Sequence, residues 1–370
     1  MKIAILGTKG IPNNYGGYEQ FAEYISVKLV SRGHRVTVYN PSFHPFKGDV
    51  FNGVTLIRKY SPEKILGGAA NFIYDFLCLK DALSRDFDIV YEAGYHSVAL
   101  SLMALNVRNR KKPVVITNMD GLEYKRSKWS GLTKWLIRGF ENIAVTESPF
   151  LISDNLGIQE YYRVNFNRES FFIPYGADLV ENFNLEFLSV YGIVKFEYYV
   201  LVARMEPENN IETILDGYLS SSVRRPFIIV GNHETSYGKF LKNKYAESSI
   251  RFIGGVYNKL ELDSLRHYSL AYFHGHSVGG TNPSLLEAMA CGSFIVAHDN
   301  PFNKSVLAEG AHYFKSAADI TALLEKLLML RQAEEANMAE MNREKVKTEY
   351  NWDSIVTQHE ELFSKLSEGI

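Results

Sequence analysis

Residues 277–292 carry side chains that could bind a charged ligand. Two glycines and a proline interrupt regular structure, and Ser284 precedes a run of strong helix formers, so we predict a helix with Ser284 as its N-cap. The N–H groups and the positive dipole end of such a helix attract anions such as phosphate. Glu287, one turn further on, could accept hydrogen bonds from two sugar hydroxyls. A capped surface helix with a solvated Glu287 explains the stretch equally well.

A second glycine-rich loop lies near the N-terminus. An apolar run at residues 2–6 leads into Gly7 and Gly10, helical spacing follows over residues 19–32, and residues 36–39 resemble a second strand. This order predicts a βαβ unit. A dinucleotide-binding dehydrogenase would need G-x-G-x-x-G and an acidic residue at the end of the second strand. The loop is long here and the strand ends at Asn40, which argues against hydride transfer.

Length and composition indicate a folded protein with two domains. The 370 residues exceed one ordinary core, and 46% are hydrophobic while 22% are charged. The formal net charge of −2 gives no indication of a nucleic-acid partner. No apolar run approaches the roughly 18–20 residues of a membrane-spanning helix. The only cysteines, Cys78 and Cys291, suggest neither a disulfide framework nor a zinc site.

One acidic pair has the spacing of a metal-binding motif. Asp86 and Asp88 form a D-x-D sequence immediately before a predicted strand. In that position the carboxylates are more typical of solvated or capping residues than of metal ligands. We therefore predict no metal site.

Basic and aromatic residues alternate between residues 123 and 143. In a helix drawn from residue 132, the apolar side chains fall near one face and two cations share another: Leu132, Trp135, Leu136 and Phe140 against Lys134 and Arg138. This pattern is typical of a helix lying on an anionic membrane surface. A surface helix whose tryptophans pack on their own domain is an equal alternative. Trp129 to Phe140 are thus a possible membrane-binding segment.

The second half repeats the alternation of strands and helices. A continuous apolar run at residues 198–203 predicts a central parallel strand, and Arg204 follows in the loop where open α/β sheets bind ligands. The guanidinium group of Arg204 suits a diphosphate. We predict two doubly wound α/β domains facing a cleft, over residues 1–180 and 181–349, with a C-terminal helix at 350–370 that packs back toward the first domain.

Four motifs together resemble one family. They are Gly7-Thr8-Lys9-Gly10-Ile11-Pro12 with Tyr15-Gly16-Gly17-Tyr18-Glu19, Asp120-Gly121-Leu122-Glu123-Tyr124-Lys125-Arg126 with Lys128-Trp129, Val202-Ala203-Arg204, and His274-Gly275-His276 leading into residues 279–292. Over almost its whole length the chain resembles glycosyltransferase family 4, retaining enzymes of the GT-B architecture with two Rossmann-like domains. Within that family it is similar to bacterial β-1,4-rhamnosyltransferases of capsule and cell-wall polysaccharide synthesis.

The resemblance implies a donor site and an acceptor site. Arg204 would bind the donor diphosphate, Glu287 the donor ribose, and the Gly16-Gly17 loop would close over the phosphates and sugar. The nucleotide base would lie near Val256 and Tyr257. Backbone amides would meet the sugar and phosphates at Thr281, Asn282, Ser284 and Leu285. The candidates for orienting the acceptor hydroxyl are Asp120, His96 and Glu123, each with capping or hydrogen bonding as its alternative role. His276 is a further polar candidate, with a structural role as the alternative.

Two positions depart from the family pattern. The family places a Glu eight residues before Glu287, where this chain has Gly279, and it pairs the arginine with a lysine, where this chain has Asn209. The missing lysine leaves Arg204 and the helix N-terminus to stabilise the leaving group. The missing carboxylate leaves room for a differently shaped sugar, such as a 6-deoxy-L-hexose.

The resemblance thus implies a metal-independent retaining transfer that needs no cofactor. The donor would be dTDP-β-L-rhamnose and the acceptor a lipid-diphosphate-linked saccharide, handled in the cytoplasm or on the inner face of the plasma membrane. Two alternatives remain open: another hexose donor, carried on UDP or GDP, and a catalytically inactive nucleotide-sugar-binding protein.

Overall fold

The computed structural model describes residues 1–119, 121–126, 129–246, 249–327 and 332–369. The chain divides into two compact units. The first comprises Met1–Lys125, Trp129–Tyr175 and Trp352–Ile370, and the second comprises Arg126–Lys128 and Gly176–Asn351. Each unit is built around one sheet with helices connecting its strands.

The first unit contains an eight-stranded sheet in the order β3-β4-β2-β1-β5-β6-β7-β8. Its strands are β1 (Lys2–Leu6), β2 (Arg35–Pro41), β3 (Val50–Phe51), β4 (Val54–Lys59), β5 (Ile89–Glu92), β6 (Val114–Asn118), β7 (Phe150–Ser153) and β8 (Phe171–Phe172). All neighbours pair in parallel except β3 and β4. The central strands are buried because helices cover both faces of a parallel sheet.

Six helices connect these strands. They are α1 (Gly17–Ser31), α2 (Glu63–Leu66), α3 (Ala70–Leu83), α4 (Ala99–Ala104), α5 (Gly131–Glu147) and α6 (Leu156–Phe166), with one-turn 3₁₀ helices at Gly67–Ala69, Val107–Asn109 and Glu123–Lys125. Helix α4 begins three residues after His96. The helix predicted from residue 19 begins two residues earlier, at Gly17.

The second unit contains a six-stranded parallel sheet in the order β11-β10-β9-β12-β13-β14. Its strands are β9 (Tyr199–Val202), β10 (Phe227–Val230), β11 (Ile250–Gly254), β12 (Ala271–His274), β13 (Ile295–His298) and β14 (His312–Phe314). Apolar side chains from β9, β10 and β12 form the centre of a buried core. The apolar run predicted to be a central strand is β9, the third strand of this sheet.

In its described residues the second unit has eight helices. They are α7 (Phe187–Val190), α8 (Ile211–Ser220), α9 (Ser236–Lys244), α10 (Lys259–His267), α11 (Pro283–Ala290), α12 (Pro301–Leu307), α13 (Ala317–Leu327) and α14 (Gln332–Thr348), with a 3₁₀ turn at Pro207–Asn209. The last helix, α15 (Trp352–Glu368), belongs to the first unit and packs on α1. There Trp352 stacks on Tyr24 at 4.7 Å, and Glu360 accepts hydrogen bonds from Arg32 and His34.

The two sheets confirm the predicted α/β class. In both units the strand order reverses beside the first strand of the unit, β1 or β9, as in a doubly wound Rossmann-like fold. The carboxyl ends of parallel strands meet at one edge of such a sheet, and ligands bind there. The loops at that edge are therefore where a site is expected in each unit.

Candidate functional site

Three loops at the carboxyl edge of the second sheet are fastened together. The loop after β9 meets the loop after β12, where Asn210 donates to the carbonyl of Gly275 (2.7 Å). The N–H and hydroxyl of Ser277 both donate to the carbonyl of Glu208 (3.0 and 2.8 Å). A Cβ on Gly275 would lie 1.9 Å from the carbonyl oxygen of Asn209, so only glycine permits this approach. The backbone at this edge is therefore held in place before any ligand binds.

His276 lies where the three loops meet. Its carbonyl accepts hydrogen bonds from Asn300 and Asn303 in the segment after β13, both at 3.0 Å. Asn209 donates from Nδ2 to the carbonyl of Arg204 (2.7 Å), which directs Oδ1 to Nδ1 of His276 (2.9 Å). Since an amide oxygen only accepts, we assign the imidazole hydrogen to Nδ1 and the lone pair to Nε2. Asn209, where the family pattern would place a lysine, thus fixes both the Arg204 loop and the imidazole.

The charges around His276 keep its ring neutral. Burial, followed by the positive charges of Arg126 and Arg204, lowers the pKa of His276 to about 4. Nε2 lies beside Gly279: a Cβ there would be 3.1 Å from Nε2. Gly279 also has φ = +124°, a conformation that strains any side chain. An aspartate or glutamate at position 279 is therefore disfavoured both by the short contact with Nε2 and by the positive φ.

Asn282, and not Ser284, caps helix α11. Its Oδ1 accepts the N–H of Ser284 (2.9 Å), and Pro283 is the first helical residue. The predicted N-cap was wrong because proline, which lacks an N–H and has a fixed φ, favours the first helical position, so the helix starts two residues earlier than predicted. The N–H of Leu285 donates to the carbonyl of Asn282 (3.0 Å). Asn282 thus accepts hydrogen bonds from the amides of Ser284 and Leu285, which were expected to bind the donor. A phosphate could bind these amides only by displacing Asn282. Thr281 is buried beside them.

A buried arginine holds Glu287. Nη2 of Arg266 donates to Glu287 Oε2 (2.6 Å) and to the hydroxyl of Ser284 (3.1 Å), and Nη1 contacts Asp263 at 3.2 Å. The side chains of Arg266 and Asp263 are only 2% and 3% exposed, whereas that of Glu287 is 27% exposed. The hydroxyl of Tyr272 completes the network on Ser284 (2.9 Å). Glu287 therefore presents one carboxylate oxygen from a fixed support.

The remaining predicted donor residues lie at the same edge. Arg204 follows β9 and is exposed, so its guanidinium can reach a ligand. Val256 and Tyr257 follow β11, and Tyr257 is 92% exposed. Arg204, His276 and Glu287 thus project from loops or helices that follow β9 and β12. The structure brings Arg204 and His276 together through Asn209, and it places Glu287 one helical turn along α11.

In the first unit, the loop between β1 and α1 is clamped. Asn40, at the end of β2, accepts from the N–H of Ile11 (3.1 Å) and donates to its carbonyl (2.7 Å). A Cβ on Gly10 would lie 2.4 Å from Oδ1 of Asn40, so the clamp requires glycine there. Gly16 and Gly17 are the N-cap and first residue of α1. The residue whose identity argued against a dehydrogenase therefore serves to hold this loop.

The predicted acceptor residues lie in the loops after β5 and β6. His96 packs its ring against Phe72 and Phe140, at 5.6 and 6.1 Å. Glu123 accepts a hydrogen bond from the indole of Trp129 (3.1 Å). Asp120 lies outside the described residues. Tyr95 joins the two loops, because its hydroxyl donates to the carbonyl of Gly121 (2.8 Å).

Two buried carboxyl groups at this edge were not predicted. Glu92 ends β5 and is fully buried, and among the described residues neither of its carboxyl oxygens has a hydrogen-bond partner. Burial, and then the nearby Asp75, raises the pKa of Glu92 well above its ordinary value. Burial raises the pKa of Asp75 to about 6, although Ser97 and Lys9 oppose the rise. The only sequence signal for these groups was an acidic residue at the end of an apolar strand. Such a residue is unusual because acidic side chains are rarely buried.

The D-x-D pair lies at the other edge of the sheet. Asp88 precedes β5 and accepts the N–H of Lys2 (2.8 Å), while Asp86 forms an ion pair with the Lys2 ammonium. Within the described residues, no group of three or more His, Cys, Asp or Glu side chains could hold a metal ion. Cys78 and Cys291 are both buried and free.

Two family models match the sequence. Residues 1–178 match a domain of unknown function, DUF1972, and residues 189–346 match glycosyl transferases group 1. No curated protein matches the sequence. The boundary between the two matches falls beside the boundary between the two structural units.

Solved structures share the fold over the whole chain. Sucrose-phosphate synthase from Thermosynechococcus elongatus superposes with a TM-score of 0.83 at 16% identity, covering 100% of both chains. Anabaena HepE in complex with UDP-glucose gives 0.74 at 14% identity, over 98% of this chain and 99% of that chain. WaaG, a glycosyltransferase involved in lipopolysaccharide biosynthesis, gives 0.72 at 15% identity, over 98% and 99%. The chain accordingly has the GT-B fold of these structures, and its residues 189–346 match the glycosyl transferases group 1 model.

Proposed function

We propose that this chain is a family 4 glycosyltransferase that transfers L-rhamnose, with retention of configuration, from dTDP-β-L-rhamnose to a lipid-diphosphate-linked saccharide. The observation that carries the proposal is the second unit's carboxyl edge, where an exposed arginine, a neutral imidazole and a supported carboxylate follow β9 and β12. These groups match the diphosphate, the sugar and the ribose of a nucleotide sugar in charge and hydrogen-bonding capacity.

Departure of the nucleoside diphosphate is the main catalysed event in this mechanism. Arg204 and the positive end of α11 stabilise the negative charge that develops as the bond between the sugar C1 and the diphosphate oxygen breaks. The acceptor hydroxyl attacks C1 from the same face and gives its proton to the departing diphosphate oxygen. The charges and atoms balance without a protein nucleophile or a metal ion.

The donor assignment draws on two kinds of support. HepE, which shares the fold, is known in complex with UDP and with UDP-glucose, and this supports a nucleoside-diphosphate sugar here. Rhamnose rests on the similarity of the Gly279-Gly280-Thr281-Asn282-Pro283 sequence to rhamnosyltransferases, and on the space that Gly279 leaves.

The lipid-linked acceptor is supported by an exposed apolar face on the first unit. Leu132 and Trp135 on α5 are each 71% exposed, and they lie opposite the buried side of that helix at Ile137 and Ala144. Other large apolar side chains are exposed on α2, α3 and α4, which pack in succession toward α5: Ile65, Leu66, Ile73, Leu100 and Met103. Phe140, predicted on the exposed face, instead turns inward against Phe72 at 5.1 Å.

Positive charge accompanies this apolar face. Residues 96–140 contain nine Lys or Arg and two Asp or Glu, in a chain whose net charge is −2. Four of the cations are exposed around the 3₁₀ turn that packs on α5: Arg108, Arg110, Lys111 and Lys112. Cations beside exposed leucine and tryptophan suit an anionic lipid surface. In the described part of the chain, no helix is long and apolar enough to cross a bilayer. This face, residues 64–73, 100–112 and 132–136, is proposed to rest on the membrane that carries the acceptor.

Vesicle sedimentation tests the membrane face. Leu132→Glu should weaken binding to phosphatidylglycerol vesicles by about tenfold or more, since it places a charge in the apolar contact. Val164→Glu, on another helix of the same unit at 65% exposure, is the matched control and should bind like the wild type. Equal binding of both variants, or no binding of the wild type at low salt, would remove this part of the proposal.

A panel of nucleotide sugars tests the function itself. In thermal-shift measurements, dTDP-β-L-rhamnose should stabilise the protein more than UDP-glucose, GDP-mannose or NAD. Incubation with a GlcNAc- or Glc-diphosphate-lipid should then release dTDP. A preference for a UDP- or GDP-sugar would replace the donor, and tight binding without release would indicate an inactive binding protein.

A further inference from the structure

The imidazole of His276 is fixed on all sides except one. Nδ1 is bound to Asn209, the residue's carbonyl is held by Asn300 and Asn303, and the adjacent Ser277 is tied to the loop after β9. Among the described residues, no side chain makes a hydrogen bond to Nε2, and the backbone of Val278 also contacts the ring. His276 is only half-buried, so a ligand can reach its ring. The ring is thus an oriented acceptor with one free lone pair.

The chemistry of Nε2 selects a hydroxyl over a phosphate. A neutral imidazole with its hydrogen on Nδ1 can only accept at Nε2. A fully ionised diphosphate has no hydrogen to donate, whereas every sugar hydroxyl has one. Arg204, whose loop is bound to His276 through Asn209, already supplies the positive charge that a diphosphate requires. The group that Nε2 accepts from is therefore a neutral donor adjacent to the diphosphate.

Gly279 keeps Nε2 uncovered. Any Cβ at this position would stand 3.1 Å from Nε2 and would block its approach to a ligand. The positive φ of Gly279 favours glycine independently of this contact. Gly279 and His276 therefore act together. Gly279 leaves space for a ligand, and His276 supplies the polar atom beside that space.

We propose that Nε2 of His276 accepts a hydrogen bond from one hydroxyl of the transferred sugar and is a specificity-determining contact for the donor. It fills the role left by the absence of a carboxylate side chain at position 279. Asn209 is a positioning residue, because it acts on the sugar only through the orientation of the imidazole. The inference rests on the proposed function, since it assumes a nucleotide-sugar donor at this edge.

The competing explanation is that His276 only joins the loops. A structural role would weaken the binding of every ligand at this edge, including dTDP, which lacks the sugar. A sugar contact would weaken binding of dTDP-β-L-rhamnose and leave that of dTDP unchanged. Titration calorimetry of both ligands, without acceptor, separates the two explanations and does not depend on turnover.

We expect His276→Ala to bind dTDP-β-L-rhamnose about tenfold more weakly and dTDP with unchanged affinity. His276→Gln, which keeps a side-chain acceptor, should recover part of the loss. His298→Ala is the matched control, because His298 is a second half-buried histidine bound to Asn300 and should leave both affinities unchanged. Thermal unfolding of each variant checks that it is folded.

Deoxy donors identify the hydroxyl. Among dTDP-rhamnose analogues that lack the 2-, 3- or 4-hydroxyl, one should lose about tenfold in affinity for the wild type and nothing further for His276→Ala. Additive losses for all three analogues, or an equal loss of dTDP and dTDP-rhamnose, would overturn the inference. If wild-type protein fails to bind dTDP-rhamnose, the proposed donor is wrong, and the same comparison is made with the nucleotide sugar that the panel selects.

Discussion

The two sheets present acidic groups at their carboxyl edges in opposite ways. In the second unit, Glu287 is bound to the buried Arg266, and Asn209 fixes His276. In the first unit, Glu92 is buried without a hydrogen-bond partner among the described residues, and its neighbour Asp75 is a second acid. The same architecture thus supports a carboxylate paired with a buried arginine in one unit and a buried acid without a hydrogen-bond partner among the described residues in the other.

This contrast fits the two substrates of the proposed reaction. A diphosphate donor carries charge, and a network whose charges are already paired needs no rearrangement to receive it. A saccharide acceptor is neutral, and a protonated carboxyl group can both donate and accept hydrogen bonds with hydroxyls. The carboxyl edges of the two sheets therefore differ more in how their buried charges are paired than in the order of their strands.

Removal of Arg204 should have the largest effect on activity. Arg204→Ala should lower kcat/KM about 1,000-fold, because Asn209 stands where a lysine could have shared the charge. Steady-state release of dTDP measures this loss. Arg225→Ala, which removes an exposed arginine of the same unit, is the control and should retain wild-type turnover. Wild-type turnover in Arg204→Ala would mean that the diphosphate lies elsewhere.

Loss of the buried ion pair between Arg266 and Asp263 should lower the stability of the protein. Arg266→Met should lower the free energy of unfolding by about 3 kcal/mol, because it leaves the buried carboxylate of Asp263 with Lys259 as its remaining ionic partner and removes the buried cation that holds Glu287. Urea unfolding measures the change. Arg225→Met removes a surface pair with Glu197 and should cost less than about 1 kcal/mol. Equal losses in both variants would show that the Arg266 network is not the paired support inferred here.

The buried acid Asp75, at the carboxyl edge of the first sheet, should make the stability of the protein depend on pH. The folded-state pKa of Asp75, about 6, exceeds its unfolded value, so its contribution to stability is fully present below about pH 4 and is lost as pH rises through 6. Asp75→Asn should therefore stabilise the protein by roughly 1–2 kcal/mol at pH 8 and have little effect at pH 4. Chemical unfolding at both pH values measures the difference.

Asp81 provides the control of opposite sign. Partial burial opposes the shift, but hydrogen bonds from Arg85, Lys59 and Tyr39 lower the pKa of Asp81 to about 2. Its contribution is present above about pH 4 and is lost as pH falls through 2. Asp81→Asn should thus destabilise at pH 8, where Asp75→Asn stabilises. The same sign for both variants at pH 8 would contradict the assignment of Asp75 as an acid whose pKa is raised by burial.

The fold was predictable because its signals are local. Apolar runs such as residues 198–203 match the period and length of buried parallel strands, and glycines mark the turns between strand and helix. The boundaries were less accurate: α11 starts at Pro283, two residues before the start that an N-cap at Ser284 predicts. Capping depends on which side chain reaches which amide, and spacing alone does not decide it.

The networks within the sites were not predictable from spacing. Arg266 and Glu287 are 21 residues apart, and Asn209 and His276 are 67 apart, so only tertiary packing brings each pair together. Asn209 was noticed as a missing lysine, and its role as the support of Arg204 and His276 appeared only with the structure. The one sequence signal for Glu92 is an acidic residue at the end of an apolar strand, and this signal does not reveal that its carboxyl group has no hydrogen-bond partner among the described residues.

The configuration of the product tests the central claim most directly. With dTDP-β-L-rhamnose and a GlcNAc-diphosphate-lipid acceptor, NMR of the purified product should show a β-linked L-rhamnose, because leaving group and acceptor share one face of the sugar. An α-linked product would contradict the proposed mechanism. Binding of the donor with no product from any lipid-linked saccharide would contradict the proposed transfer.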